Sequence, residues 1–212
     1  MWAWAPRNGG RGVALDTTQR NLLWAVRDAR NDKAWVDFYS LYAPMVSGFV
    51  RRLGLPDADA EDATQEIMLV AQDALQKGKY KPEKGRFRAW LFGVARRQAM
   101  TAHRARRRPS RAQMVSRDSS LNPLSQLEDP YAEAERLIWE QEWRYALLGE
   151  ALKHLHGEVP EKEYQAFMRY AVQREPVEQV ASALGLSTSS VYVYKSRVLE
   201  ALRTWLKPYQ ED

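Results

Sequence analysis

The residues with the clearest chemical character are the cations between residues 84 and 117. This segment contains eleven Lys or Arg residues and no Asp or Glu. Within it, residues 87–108 (FRAWLFGVARRQAMTAHRARRR) predict a helix whose packed side, beside Trp90, carries at helical spacing the residues Phe87, Leu91, Val94, Gln98 and Thr101. The opposite side of this helix carries Phe92, Arg96, Met100, His103 and Arg107. A helix with one packed side and one unneutralised basic side suits a polyanion, and its apolar residues suit unstacked bases. The competing interpretation is a solvated basic helix end, because charge runs are often only solvated faces.

A second group of chemically active residues lies on the preceding helix, predicted over residues 57–75 (DADAEDATQEIMLVAQDAL). Its apolar stripe consists of Ala63, Ile67, Val70, Ala71 and Ala74. Asp62, Gln65, Glu66 and Leu69 share another face, because they are spaced three or four residues apart. Paired carboxylates can perform acid–base chemistry, but no further acid, metal ligand or nucleophile accompanies them. Spacing alone does not distinguish a binding face from acids that only solvate the helix.

The third pattern is a helix-turn-helix near the C-terminus. Residues 177–184 form a short amphipathic stretch, Gly185 suits the left-handed end of a helix, and Ser187 is a good N-cap. The next helix would pack through Val191, Val198, Leu202 and Trp205. Its exposed start would enter a DNA major groove through Thr188, Ser189, Ser190, Tyr192, Val193, Ser196 and Arg197. An ordinary helical hairpin would show the same pattern.

These elements predict an all-α protein with two small helical domains, the C-terminal one containing the helix-turn-helix. We expect a disordered leader over residues 1–15, a first domain over 16–108, a flexible linker over 109–130 and a second domain over 131–212. Pro44 predicts a helix break or a first turn. Within the second domain, a long helix over residues 131–156 carries the apolar residues Leu137, Ile138, Tyr145, Leu148, Leu152 and Leu155.

The composition limits the classes of function. The net charge is +5, which favours nucleic acid, and the chain contains no cysteine. The three histidines lack the spacing of zinc ligands, so we expect no metal site and no cofactor. No apolar run approaches the roughly 20 residues of a membrane span, and no signal peptide is evident. We therefore expect a cytoplasmic protein without membrane insertion.

Three motifs together resemble bacterial RNA polymerase sigma factors of the extracytoplasmic-function class. The segment DAEDATQE at residues 59–66 resembles the acidic DAEDLVQE signature of that family, and FRAWLFGVARR at residues 87–97 is similar to its FRAWLFRIAR. Residues 177–203 resemble its helix-turn-helix. Ala63 and Thr64 replace an aliphatic pair, Tyr192 replaces an often basic residue, and Lys195 stands where the family has an aliphatic one. The Lys195 ammonium must therefore extend outward or reach a phosphate.

The resemblance implies core RNA polymerase and promoter DNA as partners, an anti-sigma factor as a further one, and a monomer when free. It implies polymerase binding through Asp59, Glu61, Asp62, Gln65, Glu66 and Leu69. Binding and opening of the minus-ten promoter element would involve Lys84, Arg86, Arg88, Trp90, Arg96, Arg97, Met100, His103, Arg104 and Arg107. Recognition of the minus-thirty-five element would involve Thr188, Ser189, Ser190, Tyr192, Val193, Lys195, Ser196 and Arg197. Bond-making chemistry would belong to the polymerase, so the chain itself is not expected to be an enzyme.

Two other functions are compatible with parts of the sequence. A stand-alone helix-turn-helix regulator would use its N-terminal half for dimerisation or ligand binding, and it would not need the acidic helix to contact polymerase. A recombinase or nuclease with a helix-turn-helix tail would need an acidic metal cluster or a placed nucleophile, and the sequence contains neither pattern.

Overall fold

The computed structural model describes residues 19–107 and 132–209. These residues form helices and turns, with no strand among them, so the all-α prediction is confirmed. Residues 23–157 form one compact unit, and the described residues from 158 onward belong to a second, together with residues 19–22. The predicted leader (1–15) and the predicted linker (109–130) lie outside the described residues.

Within residues 19–107 and 132–158 the structure has five α-helices: α1 (Gln19–Ala25), α2 (Asp32–Arg52), α3 (Asp57–Gln76), α4 (Phe87–Arg107) and α5 (Ala132–Glu158). Asn31 begins α2 as its N-cap, since its side chain accepts a hydrogen bond of 3.1 Å from the Ala34 amide. The helix then continues through Pro44, so the predicted break there is wrong. The proline ring is exposed while Tyr42 and Met45 are fully buried. Packing of the buried side therefore outweighs the missing proline N–H.

Aromatic side chains join α2 to the start of α4. The Phe87 ring centroid lies 5.2 Å from those of Tyr42 and Tyr80 and 5.7 Å from that of Phe38. Leu91 and Val94 continue the buried side of α4, as predicted. Further along, Ala95 and Ala99 are buried, whereas Gln98 is half-buried and Thr101 is exposed, so the prediction is wrong at Thr101. Large rings packed edge to face in this way stabilise a core beyond the area they bury. This core fixes the rotation of α4, and with it the direction of every cationic side chain on that helix.

The long helix α5 packs on α2 and α4 through two tryptophans. Trp139 lies 5.1 Å from the Phe49 ring and 5.7 Å from the Phe92 ring, and Trp143 stacks on Tyr42 at 5.7 Å. Both indoles are buried. Residues 132–157 therefore belong to the first unit, whereas the sequence assigned them to the second domain. Helical periodicity identified α5, but a periodic stripe does not show which partner buries it.

The second unit contains α6 (Glu161–Phe167), a π-helical turn (Met168–Val172), α7 (Val177–Leu184) and α8 (Thr188–Leu206), followed by a 3₁₀ turn (Lys207–Tyr209). Its core consists of Ala166, Val180, Ala181 and Val191. Val198 and Leu202 are also buried, which confirms the predicted inner side of α8, whereas Trp205 is half-buried.

The turn between α7 and α8 has the predicted geometry. Gly185 ends α7 in the left-handed conformation, with φ 59° and ψ 50°. The Leu186 amide then donates a 2.8 Å hydrogen bond to the Ala181 carbonyl. Ser187 is the N-cap of α8, because its hydroxyl accepts a 3.1 Å hydrogen bond from the Ser190 amide. Local backbone chemistry thus determines where the second helix of the pair begins.

Candidate polymerase and nucleic-acid interfaces

The acidic face of α3 is open along most of its length. Asp62, Gln65 and Glu66 are exposed, and Leu69 beside them keeps 60% of its surface exposed. Ile67 on the other side of the helix is fully buried. A strip of two acids, one amide and one leucine suits a partner that offers both cations and an apolar contact.

The remaining two acids predicted for this face bind arginines within the unit. Asp59 Oδ2 lies 2.9 Å from Arg106 Nη1 of α4, and Glu61 Oε1 lies 3.5 Å from Arg51 Nη2 of α2. Exposed ion pairs like these contribute only about 0–1 kcal/mol, so a partner could displace them. Thr64, which departs from the family pattern, is buried, and its hydroxyl donates to the Ala60 carbonyl at 2.6 Å.

Two arginines predicted to face DNA instead contact α5. Arg96 forms an ion pair with the buried Glu135. Arg88 Nη1 lies 3.0 Å from Glu140 Oε2, and its guanidinium carbon lies 4.8 Å from the centre of the Trp143 ring. Sequence spacing placed Arg96 on the side of α4 opposite the core, but α5 covers part of that side.

His103 also has a structural partner. Its Nε2 lies 3.0 Å from the Leu53 carbonyl at the C-terminal end of α2, so the ring N–H donates to that oxygen. The carbonyls at a helix end lack partners inside the helix, and a side-chain donor satisfies one of them. His103 therefore joins α4 to the end of α2, a contact that the sequence did not predict.

Five of the other residues predicted for this surface are exposed. Arg97, Met100 and Arg104 are exposed and follow one side of α4 at intervals of three and four residues. Lys84 and Arg86 are exposed in and after the turn that precedes α4. Trp90 is half-buried, 5.5 Å from the Phe87 ring and 5.8 Å from the Tyr80 ring, and Arg107 is the last residue of α4.

The start of α8 presents small polar groups. Thr188 and Ser189 are exposed, while the Ser190 hydroxyl lies 2.8 Å from the Ser187 hydroxyl. Tyr192, Val193 and Ser196 are exposed on the following turns. A helix start with short side chains can approach base edges closely, and its free amides favour phosphates.

Tyr170 of the π-helical turn contacts two of the predicted α8 residues. Its ring centroid lies 5.5 Å from that of Tyr192, and the Lys195 ammonium lies 5.2 Å from the Tyr170 ring centre. The hydrogen bond between the two hydroxyls raises the pKa of Tyr192 above its usual value. Lys195 thus extends outward along an aromatic face, consistent with its departure from the family's aliphatic residue. No sequence signal identified Tyr170, because its contacts depend on how the turn packs.

Ion pairs hold two further arginines of this unit. Arg197 Nη1 lies 2.9 Å from Glu163 Oε1 of α6. Arg169 binds Glu175 with both Nε and Nη2, at 3.0 and 2.5 Å, and the guanidinium holds the pKa of the Glu175 carboxyl below its ordinary value. The Arg169–Glu175 pair spans the connection before α7, where Arg174 adopts a positive φ of 59°.

No cluster of three potential metal-ligating side chains occurs within residues 19–107 and 132–209. Among the helices that the structure describes, none combines the length and the apolarity that crossing a membrane would require.

Comparison with known proteins finds similarity to sigma factors. Residues 38–109 match the family model for sigma-70 region 2. The chain is 23% identical over 178 residues to the ECF RNA polymerase sigma factor RpoE of Cereibacter sphaeroides, covering 84% of this chain and 91% of that protein. It is 29% identical over 180 residues to the RNA polymerase sigma factor CarQ of Myxococcus xanthus, covering 85% and 92%. A solved structure of CnrH in complex with the cytosolic domain of CnrY is similar at 19% identity, covering 89% of this chain and 96% of that one, with a TM-score of 0.35.

Residues 38–109 thus resemble sigma-70 region 2, and over 84–85% of its length the chain is similar to RNA polymerase sigma factors. One of these relatives, RpoE, is an extracytoplasmic-function (ECF) sigma factor.

Proposed function

We propose that this protein binds core RNA polymerase and directs it to promoters, where it assists DNA melting and the initiation of transcription. The observation that carries this proposal is the open face of Asp62, Gln65, Glu66 and Leu69 within the segment that matches sigma-70 region 2. Acids on this face would repel DNA, so a basic protein surface is their natural complement. The bond-making chemistry of transcription then belongs to the polymerase.

The two units would divide promoter recognition. The first would bind the minus-ten element through its basic residues and its aromatic side chains, since strand separation requires both phosphate contacts and surfaces for unstacked bases. The second would read the minus-thirty-five element through the exposed start of α8. Joining two weak binding modules in one chain raises affinity through effective concentration. A monomeric free state, a cytoplasmic location and an anti-sigma partner stay predictions.

The test is charge reversal on the acidic face. The double variant Asp62→Lys with Glu66→Lys should fold normally, because surface substitutions usually change stability by about 0.5 kcal/mol or less. It should nevertheless fail to co-elute with core RNA polymerase on gel filtration. A matched control reverses two exposed acids near the ends of α5, Glu133→Lys with Glu158→Lys, and should still co-elute.

The proposal is wrong if the folded Asp62/Glu66 variant assembles with polymerase and starts transcripts as the wild type does. Binding of the wild type as a dimer to symmetric DNA sites, without any association with polymerase, would instead favour the stand-alone regulator.

A further inference from the structure

Three carboxylates that border the buried side of α5 bind arginines of α2 and α4. Glu135 pairs with Arg96, Glu140 Oε2 lies 3.0 Å from Arg88 Nη1, and Glu142 Oε1 lies 3.2 Å from Arg52 Nη1. All three pairs lie inside the compact unit of residues 23–157. The family match ends at residue 109, so α5 covers this face from outside the matched segment.

The contact of α5 with α2 and α4 buries both charged and aromatic side chains. Only 11% of the Arg88 side chain and 9% of the Glu135 side chain remain exposed. Trp139 and Trp143 are buried between the carboxylates, and the Arg88 guanidinium lies over the Trp143 ring. Charges this far removed from water require a partner that satisfies their hydrogen bonds.

Gly48 of α2 makes room for one of these carboxylates. A Cβ atom at this position would overlap Glu142 Oε2 and would lie 3.3 Å from Glu142 Cγ. The close approach of Glu142 to α2 therefore depends on the absence of a side chain at residue 48, although alanine would favour the helix by about 1 kcal/mol.

We propose that α5 inhibits DNA binding by the first unit from within the chain. Carboxylates and phosphates offer guanidinium groups the same paired oxygen acceptors, so Glu135 and Glu140 occupy the sites on Arg96 and Arg88 that DNA phosphates would take. DNA can reach these two arginines only after α5 has left the face formed by α2 and α4. This inference rests on the proposed function, because it assigns a means of regulation to the same DNA-binding surface.

A reversible crosslink tests whether α5 must leave. The natural chain contains no cysteine, so Gly48→Cys with Glu142→Cys introduces the sole thiol pair. The expected Cβ–Cβ separation is at most one bond longer than the 3.3 Å from residue 48 to Glu142 Cγ. It therefore falls close to the roughly 3.5–4.5 Å that a disulfide needs. The two single-cysteine variants serve as controls for the substitutions themselves.

Binding of the full-length chain to a fluorescein-labelled, mixed-sequence single-stranded DNA is measured by anisotropy at several salt concentrations. The oxidised form should bind more weakly, with a log–log salt slope lower by about 1.4, since two phosphate contacts of about 0.7 each are lost. Reduction should restore both values. Equal affinity and slope in the two forms, or failure of the folded chain to form the disulfide, would overturn the proposal.

Neutralising the carboxylates should have the opposite effect. The triple variant Glu135→Gln, Glu140→Gln and Glu142→Gln should bind the same DNA more tightly, with a steeper salt slope. The control triple Glu133→Gln, Glu150→Gln and Glu158→Gln changes the net charge equally on the same helix, but its carboxylates bind none of the three arginines. Equal gains in DNA affinity in both triple variants would mean that only the net charge of the chain affects DNA binding. If the first triple fails to fold, the single variant at the half-exposed Glu140 gives the same comparison.

Gel filtration with core RNA polymerase separates this inference from the proposed function. A chain that assembles with polymerase but binds DNA identically when locked and unlocked refutes inhibition by α5 alone. A chain that never assembles with polymerase refutes the proposed function, whatever the crosslink does to single-stranded DNA binding.

Discussion

The two surfaces proposed to bind DNA differ in what already occupies them. On α4, Arg88 and Arg96 bind carboxylates of α5, whereas Ser189, Tyr192 and Val193 at the start of α8 are exposed. Part of the most strongly cationic segment of the sequence is thus covered by α5, whereas the start of α8, which carries little charge, is exposed. A cation that becomes buried needs an acidic partner, so charge density in a sequence does not locate an open nucleic-acid surface.

The largest effect should come from removing the tryptophan that holds α5 in place. Trp139→Ala should lower the free energy of unfolding of the first unit by about 3–5 kcal/mol, because it leaves a large cavity beside Phe49 and Phe92. Denaturant unfolding followed by circular dichroism measures this loss. Tyr145→Ala, on the exposed side of the same helix, should change stability by about 0.5 kcal/mol or less. If Trp139→Ala lowered the free energy of unfolding by as little as Tyr145→Ala does, α5 would not be part of this core.

The next effect should appear on the open surface of α8. Tyr192→Ala should reduce discrimination at one base pair of the upstream element by about 1–3 kcal/mol. Lys195→Ala should weaken binding to all sequences alike, because an ammonium beside Tyr170 can reach a phosphate but carries little base information. Promoter fragments selected by the reconstituted holoenzyme provide the measurement. If Tyr192→Ala leaves the base preference unaltered, other residues of α8 recognise the base pairs.

A smaller effect should separate exposed from covered arginines on α4. Replacing Arg97 and Arg104 with alanine should lower the log–log salt slope of DNA binding by the free chain by about 1.4 for single strands, or about 1.8 for duplex. Arg96→Ala should change the slope by less than half as much, since Glu135 already holds that guanidinium. Titration of labelled DNA with each variant measures the slopes. If each arginine changed the salt slope equally, the exposed and the covered arginines of α4 would not differ in DNA binding.

The smallest effect should be a pH dependence of the second unit. Arg169 lowers the pKa of Glu175, so the ionised carboxylate stabilises the folded state above the ordinary Glu pKa of about 4.3. This contribution is lost as the pH falls through the lowered folded-state pKa. The midpoint of thermal unfolding should therefore be higher for the wild type than for Glu175→Gln at pH 7, and the gap should close in strong acid. A gap that persists unchanged in acid would exclude ionisation of Glu175 as its cause.

Features set by neighbours along the chain could be predicted from the sequence. The left-handed Gly185, the N-cap at Ser187 and the first half of the buried stripe of α4 depend on residues within one or two helical turns, and all three are confirmed. The acidic face of α3 follows the same rule, because helical spacing alone decides which side chains share a face. Its role in polymerase binding stays a proposal.

Contacts between distant segments could not be predicted. The sequence shows apolar residues at Leu137, Tyr145 and Leu148 of α5, yet these are exposed, and Trp139 and Trp143 form the buried side. Both choices satisfy a helical period, and only the aromatic surface of α2 and α4 decides between them. The partners of His103 and Arg96 were missed for the same reason, since each lies on a helix remote in sequence.

The spacing of the buried residues along α5 also limits which sequence changes this helix can accept during evolution. Glu135, Trp139 and Trp143 follow one another at four-residue intervals, so all three reach the same side. One inserted residue would turn everything after it by about 100° and carry the indoles away from the carboxylate that precedes them. Side chains elsewhere on α5 can therefore be exchanged one at a time, whereas a change of length must add or remove about two whole turns. Among descendants that keep this contact, α5 should vary in composition but hardly in register, and the acid and the two tryptophans should be kept or lost together.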